Sequence, residues 1–182
     1  GEQGGTAVAE VLFGDYNPAG KLPVTFYRNV SQLPDFEDYN MTGRTYRYMQ
    51  DVPLFPFGYG LSYTTFGYGK TVLDKNELTA GQSLKLTVPV TNTGKRNGEE
   101  VVQVYLRKQG DAEGPIKTLR AFKRVSIPAG KTVNVEFDLK DKELEWWDDQ
   151  SNTVRVCPGN YDIMVGGSSK EEDLQRTTIA IK

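Results

Sequence analysis

Residues 53–66 read PLFPFGYGLSYTTF, and the parsing of the whole chain hangs on them. Phe55, Phe57, Tyr59 and Tyr63 stand among two prolines and two glycines. Such a run is too rich in Gly and Pro for a helix interior and too apolar for a solvated linker. Each aromatic is expected to bury roughly 150–250 Å², so structure is expected on both sides of the stretch. It reads as a seam that joins a short N-terminal piece to a complete β-domain, not as a reacting segment.

Downstream of the seam the pattern is strand after strand. Residues 68–73 are expected to form the first. Within residues 83–91 (SLKLTVPVT), Leu84, Leu86, Val88 and Val90 alternate onto one face. Residues 100–106 (EVVQVYL) place Val102, Val104 and Leu106 together, and residues 132–139 (TVNVEFDL) do the same with Val133, Val135, Phe137 and Leu139. Further strands are expected over residues 119–127, 154–157, 161–165 and 177–181. Turn signals separate them at Asn92-Thr93-Gly94, Asn97-Gly98, Pro128-Ala129-Gly130 and Pro158-Gly159-Asn160. Seven or eight short strands at this spacing predict a mainly β fold, a β-sandwich of the immunoglobulin or fibronectin III type.

Upstream of the seam the period changes. Residues 4–13 (GGTAVAEVLF) predict a short helix capped by Thr6, with Ala7, Val8, Val11 and Leu12 on one stripe and Gly14 as its stop. DYNPAG at residues 15–20 turns the chain, and residues 21–26 (KLPVTF) predict a strand that Pro23 confines to an edge or an end. One helix and one strand cannot enclose a core. This unit reads as the last αβ element of a sheet whose other strands lie upstream, and a chain opening at Gly1 in mid-motif reads as a piece of something longer.

Between these parts, residues 28–51 are irregular and polar, broken by Pro34. In GRTYRYM at residues 43–49, Arg44 and Arg47 alternate with Tyr46 and Tyr48. Arginines beside tyrosines stack on and hydrogen-bond a sugar or a carboxylate. The same residues also suit an ordered connector pinned to its neighbour. Asn29-Val30-Ser31 and Asn40-Met41-Thr42 match the short N-glycosylation acceptor pattern.

Composition narrows the chemistry. The 182 residues make one domain or one and a fraction, and a net charge of −2 gives no basic stripe for nucleic acid. No apolar run is long enough for a membrane-spanning helix. Cys157 is alone and reads as a buried structural thiol, which leaves the compartment open. With no histidine, Ser-His-Asp, Cys-His and His-zinc systems are excluded, and acid–base work falls to carboxylates, Lys or Tyr. Glu143, Glu145, Asp148 and Asp149 surround Trp146 and Trp147 in KELEWWDDQSN, which resembles the carboxylates and aromatic platform of a glycosidase site. Asp148 and Asp149 are adjacent, however, and lie before a turn at Gln150-Ser151-Asn152, so the cluster reads as a hairpin tip with a core tryptophan. Gly166-Gly167-Ser168-Ser169 lacks the helix and lysine of a phosphate loop. No cofactor or metal is expected.

Taken together and in order, several motifs resemble the C-terminal region of glycoside hydrolase family 3, the β-glucosidases and β-xylosidases. They are GEQGGTAVAEVLFGDYNPAGKLPVTF (1–26), PLFPFGYGLSYTTF (53–66), VTNTGKRNGEEVVQVYL (90–106), LRAFKRV (119–125), the WWDD turn and PGNYDIMVGGSS (158–169). GEQGG, GRTYRYM and the seam point toward the β-xylosidase-like members. The resemblance implies three parts: residues 1–30 as the remnant of an (α/β)6-sandwich domain, 31–66 as connector and seam, and 67–182 as a fibronectin III-like sandwich. It further implies a retaining exo-acting parent that works on terminal β-glucosyl or β-xylosyl residues by double displacement, with its carboxyl pair roughly 5 Å apart. Both reactive carboxylates would lie upstream of Gly1, so no catalytic residue is expected here and none is assigned to Glu2 or Glu10. Arg44, Tyr46 and Arg47 are the candidate substrate-binding residues, through a connector placed near the parent's cleft. The expected partners are the upstream domains and, through them, a β-linked glucoside or xyloside. A periplasmic or extracellular parent is favoured. The alternative is a stand-alone carbohydrate-binding or adhesion sandwich, which has no need of an orphan αβ unit. An enzyme acting through Asp148 and Asp149 is disfavoured because adjacent carboxylates do not face each other. Residues 1–30 are expected either to drape over the sandwich or to fray.

Overall fold

The structure is a computed structural model and describes residues 1–182. The chain runs through helix α1 (Gly4–Phe13), a 3-10 turn (Val30–Gln32), helix α2 (Thr45–Tyr48) and strands β1 (Phe66–Tyr68), β2 (Val72–Leu73), β3 (Glu77–Leu78), β4 (Leu84–Asn92), β5 (Gly98–Lys108), β6 (Thr118–Ile127) and β7 (Thr132–Leu139). Helix α3 (Asp141–Leu144) leads into β8 (Trp146–Asp148) and β9 (Thr153–Arg155), followed by β10 (Gly159–Gly166), a 3-10 turn (Glu171–Asp173) and β11 (Gln175–Ile181).

Two sheets face each other. One is built on β4, which pairs antiparallel with β7 along one side and with β1 and β2 along the other. The second has the order β3-β11-β10-β5-β6, antiparallel except where β3 meets β11. β8 and β9 form a separate hairpin. The alternation read from the sequence fills the space between the sheets. Leu84, Leu86, Val88 and Val90 meet Val102, Val104, Leu106, Val135, Phe137, Leu139, Ile163 and Ile179 in one buried cluster. The fold is therefore mainly β, a sandwich, as expected.

Asn92 follows the same alternation inward and is fully buried. An amide at a core-facing position has to be paired. Its Nδ2 donates to the carbonyls of Arg96 and Ile127, each at 2.8 Å, and its Oδ1 accepts from Thr64 Oγ1 at 2.5 Å and from the Gly94 N–H at 3.1 Å. One side chain thereby ties the seam to the β4–β5 turn and the end of β6.

Several local expectations are corrected. The strand expected over residues 68–73 is split into β1 and β2, because Pro89 opposite the gap has no N–H to give to the ladder. Residues 21–26 make a single bridge, Phe26 to Phe55, instead of a strand. They clasp the seam: Leu22 donates its N–H to Tyr59 O at 2.8 Å, Gly58 donates to Leu22 O at 2.8 Å, and Phe26 donates to Phe55 O at 2.9 Å. Thr6 does not cap α1, which starts two residues earlier with Gln3 before it and no side-chain bond. The stop is as expected: Gly14 is left-handed at φ 80° and donates its N–H to Val11 O. Residues 28–51 carry two short helical turns where irregular chain was expected.

The seam itself is buried on one side only. Phe57 and Tyr59 are half-buried, but Phe55 and Tyr63 remain 39% and 45% exposed, short of the deep burial expected for all four aromatics. The covered side explains why the seam is ordered. β5 and β10 bury residues on both of their faces: Gln103, Tyr105 and Met164 point away from the sandwich core yet are almost fully buried. A sheet with two apolar faces needs a second cover. The seam and α2 supply it, with Tyr46 stacked on Phe57 at 4.3 Å and edge-on to Tyr105 at 5.9 Å. Gln103 Nε2 donates to Gly58 O at 3.2 Å and Gly167 O at 2.6 Å, and its Oε1 accepts from Tyr105 Oη at 2.5 Å.

Gly58 sits at φ 78°, and a Cβ there would lie 2.0 Å from Gln103 Oε1. Gly58→Ala is therefore expected to destabilise the chain by about 3 kcal/mol, from left-handed strain plus overpacking. Thermal unfolding checks this. The melting point should fall by about 6–12 °C for a chain of this size, whereas Gly110→Ala, left-handed but with open space around it, should shift it far less.

Candidate functional site

Three of the four carboxylates around the tryptophans are committed to local structure, and Glu145 engages only through its backbone carbonyl. Asp148 Oδ2 accepts from Ser151 Oγ and from Arg155 Nε, both at 2.6 Å, across the β8–β9 hairpin. These bonds, Ser151 first and Arg155 second, hold its carboxyl down at about 2. Asp149 Oδ1 accepts from Trp147 Nε1 at 2.8 Å. Glu143 Oε2 accepts the Lys140 N–H at 3.0 Å and caps α3. The hairpin tip and the inward tryptophan expected from the sequence are both present: Trp146 is in the core, edge-on to Tyr161 at 6.0 Å, while Trp147 is 49% exposed. Cys157 is buried beside them.

The connector residues are distributed differently. Thr45, a β-branched residue at φ 56°, marks a forced turn whose N–H donates to Tyr27 Oη at 3.2 Å. Arg44 folds the connector onto itself, with Nε donating to Asn40 O at 2.8 Å and Nη2 to Asp38 O. Tyr46 faces the sheet, and its Oη accepts the Leu119 N–H at 3.1 Å. Arg47 points elsewhere. Its carbonyl accepts the Ile116 N–H at 2.6 Å, its guanidinium lies 5.5 Å over the Tyr48 ring, and its Nε is buried with no acceptor.

Arg47 opens onto a cleft of about 200 Å³ between α2, the loop before β6 and the β8–β9 hairpin. Arg120 crosses the cleft from β6, 5.5 Å over the Trp146 ring, with Nη2 donating to Glu145 O at 2.5 Å. Burial and then the neighbouring Arg47 charge pull the Arg120 guanidinium below its usual range. Asp111 closes the floor by accepting from Trp146 Nε1 at 2.6 Å and from the Gly114 N–H at 2.9 Å.

A second cluster holds the N-terminal unit to the sandwich. The Glu100 side chain is 7% exposed; it meets Lys21 Nζ at 3.0 Å and accepts from Tyr68 Oη at 3.1 Å. Burial, reinforced by the Glu100 charge, pushes the Tyr68 phenol far up. Asn17 Nδ2 donates to Asn97 O at 2.9 Å, while its Oδ1 accepts from Ser62 Oγ and the Tyr63 N–H, both at 2.8 Å. Tyr63 Oη donates to Val11 O at 2.5 Å. Residues 15–26 thus drape over the sandwich, yet Val8, Leu12 and Phe13 of α1 and Phe36 of the connector remain exposed.

Residues 1–63 match the glycosyl hydrolase family 3 C-terminal domain, and residues 100–169 match the fibronectin type III-like domain. The chain belongs to glycoside hydrolase family 3. It is 54% identical over 181 residues to a xylan 1,4-β-xylosidase of Xylanibacter ruminicola, with all of this chain covered and 21% of the relative. It is 38% identical to a periplasmic β-glucosidase of Salmonella typhimurium, covering 93% of this chain and 24% of that protein. A solved β-glucosidase from Erythrobacter marinus superposes with a TM-score of 0.84 at 42% identity, over 100% of this chain and 24% of that one. The chain therefore spans about a quarter of these family 3 relatives, as their C-terminal part.

Sequence reasoning singled out Arg47 and both tryptophans but missed Asp111, Arg120, Lys21 and Glu100. Arg120 carried no signal, since LRAFKRV on an edge strand reads as solvated charge. Glu100 did carry one: it shares the parity of Val102 and Val104, so it sits at a core-facing position.

Two expected outcomes follow from these contacts. Lys21→Met leaves the buried Glu100 carboxylate without its cation and should destabilise the chain by about 3 kcal/mol, with Lys21→Met/Glu100→Gln recovering part of that loss in denaturant unfolding. The Asp148 carboxyl titrates at about 2 in the fold against an ordinary 3.8, so its contact is fully present above about pH 4 and is lost as pH falls toward 2. Carboxyl NMR of Asp148 should show that low midpoint, and Ser151→Ala should move it up.

Proposed function

We propose that this chain is the C-terminal, non-catalytic structural region of a retaining β-glycosidase that removes terminal β-glucosyl or β-xylosyl residues. On this reading residues 1–30 complete an (α/β)6-sandwich domain, residues 31–66 connect it, and residues 67–182 are the fibronectin III-like buttress. The observation that carries the proposal is the junction. Lys21 and Asn17 of the αβ unit are bonded into the sandwich, while the apolar residues Val8, Leu12 and Phe13 of α1 are left uncovered. An amphipathic helix with an open stripe is what one edge of a larger domain presents. The names of the relatives, β-xylosidases and β-glucosidases, support the substrate class. The commitment of Asp148 and Asp149 to separate local donors supports a non-catalytic role, because a retaining pair has to face one sugar from two sides. Of the connector residues, Arg44 and Tyr46 shape the segment, and Arg47 has donors left for a sugar.

The test compares three proteins on aryl β-xyloside and aryl β-glucoside. The 182-residue chain alone should give no turnover. A chimera in which it replaces the matching quarter of the Xylanibacter ruminicola β-xylosidase should stay active, and that enzyme without its C-terminal quarter should lose activity. Turnover by the chain alone, abolished by Asp148→Asn or Asp149→Asn, would overturn the proposal.

A further inference from the structure

The cleft beside Arg47 holds an unusual concentration of unmet polar groups. Five buried side-chain polar atoms in the molecule have no hydrogen-bond partner, and three of them, Arg47 Nε, Thr118 Oγ1 and Arg120 Nε, belong to residues lining this one cleft. Buried polar groups in native proteins are nearly always paired, so a cluster of exceptions marks the wall of this cleft as short of polar partners, with the outer guanidinium nitrogens of the same arginines facing its lining.

We propose that this cleft binds one neutral pyranose ring. Its lining has two parts. Trp147, half-exposed at the lip, offers the indole surface against which the C–H face of a sugar packs, while Trp146 lies beneath it in the core with Arg120 over its ring. Around them stand the guanidiniums of Arg47 and Arg120 and the carboxylates of Asp111, Glu113 and Asp149. A free anion would face three carboxylates, and a cation would face two guanidiniums. A polyhydroxylated neutral ring meets both sets, because each hydroxyl donates and accepts. Sugar oxygens lodged by the two arginines would also give these part-buried guanidiniums the acceptors they lack. The size agrees: about 200 Å³ is below the roughly 300–1,000 Å³ of sites for larger ligands, which suits one ring.

The walls are already set. Tyr46 and the Ile116–Arg47 bond fix α2, Asp111 fixes the loop at Gly114, and the Asp148–Arg155 pair fixes the hairpin. A ligand would pay little to order them. The inference rests on the cleft alone and does not depend on the chain serving a hydrolase.

The chain's only two tryptophans both line the cleft, so indole N–H resonances and intrinsic fluorescence report on it directly. The 182-residue chain is titrated with methyl β-xyloside, methyl β-glucoside and, as the charged control, glucuronate. The expected result is a saturable Trp147 shift with a neutral glycoside at Kd of about millimolar. Arg47→Ala should weaken binding about tenfold or more, Arg47→Lys should restore part of it, and Trp147→Ala should abolish it, all with unchanged melting points. Shifts that never saturate for any neutral glycoside would overturn the proposal. Saturation by glucuronate alone would overturn it too, making this a carboxylate site. Neither result bears on the chimera's turnover, so the two proposals fail separately.

Discussion

The Gln103 amide, on the outward face of the five-stranded sheet, is the constraint from which much of the architecture follows. It is 3% exposed, so each of its polar atoms has to find a partner in protein. Those partners are Gly58 of the seam, Gly167 after β10 and the Tyr105 hydroxyl. Satisfying one side chain therefore fixes the seam and the segment after β10 against β5 at once. It works only because position 58 has no Cβ and tolerates a left-handed backbone. With the seam pinned there, Phe57 is presented to Tyr46, α2 docks beside β6, and the wall of the tryptophan cleft is in place.

The N-terminal unit is held by a different kind of force. Its apolar residues are mostly exposed, so hydrophobic burial contributes little and polar pins carry the attachment. Lys21 at the buried Glu100 carboxylate and Asn17 at the β4–β5 turn are specific in geometry, which sets the angle at which the unit leaves the sandwich. A directional, polar junction beside an uncovered apolar stripe suits a joint that orients a larger body more than a free-standing surface.

The period-two stretches were legible in the sequence because packing between two sheets enforces alternation. Residues 132–139 and the run from Leu84 to Val90 needed little correction. The seam was legible as a joint from its Pro, Gly and aromatic content, although not which side it would bury. What escaped was polar and long-range. Asn92, Glu100 and Gln103 look like ordinary strand polars, and only their parity or double-sided burial reveals them as structural. Residues 21–26 failed as a strand because a strand needs a neighbour, and the neighbour available was the irregular seam. In the candidate cleft, Arg47 and the tryptophans stood out by composition, while Arg120 and Asp111 come from distant positions that only the fold brings together.

Through the backbone bonds at Leu22 and Phe26 and the Lys21–Glu100 pair, residues 17–26, the seam and the sandwich form one cooperative unit, to which α1 adds a less protected edge. Native-state amide exchange on the 182-residue chain measures this directly. The amides of Leu22, Phe26 and Gly58, all bonded between the N-terminal unit and the seam, should exchange as slowly as core amides of β4 and β5, with α1 exchanging faster. Free exchange at Leu22, Phe26 and Gly58 while the β4 and β5 amides stay protected would contradict the account, since the N-terminal unit would then be a loose tail on an independent sandwich.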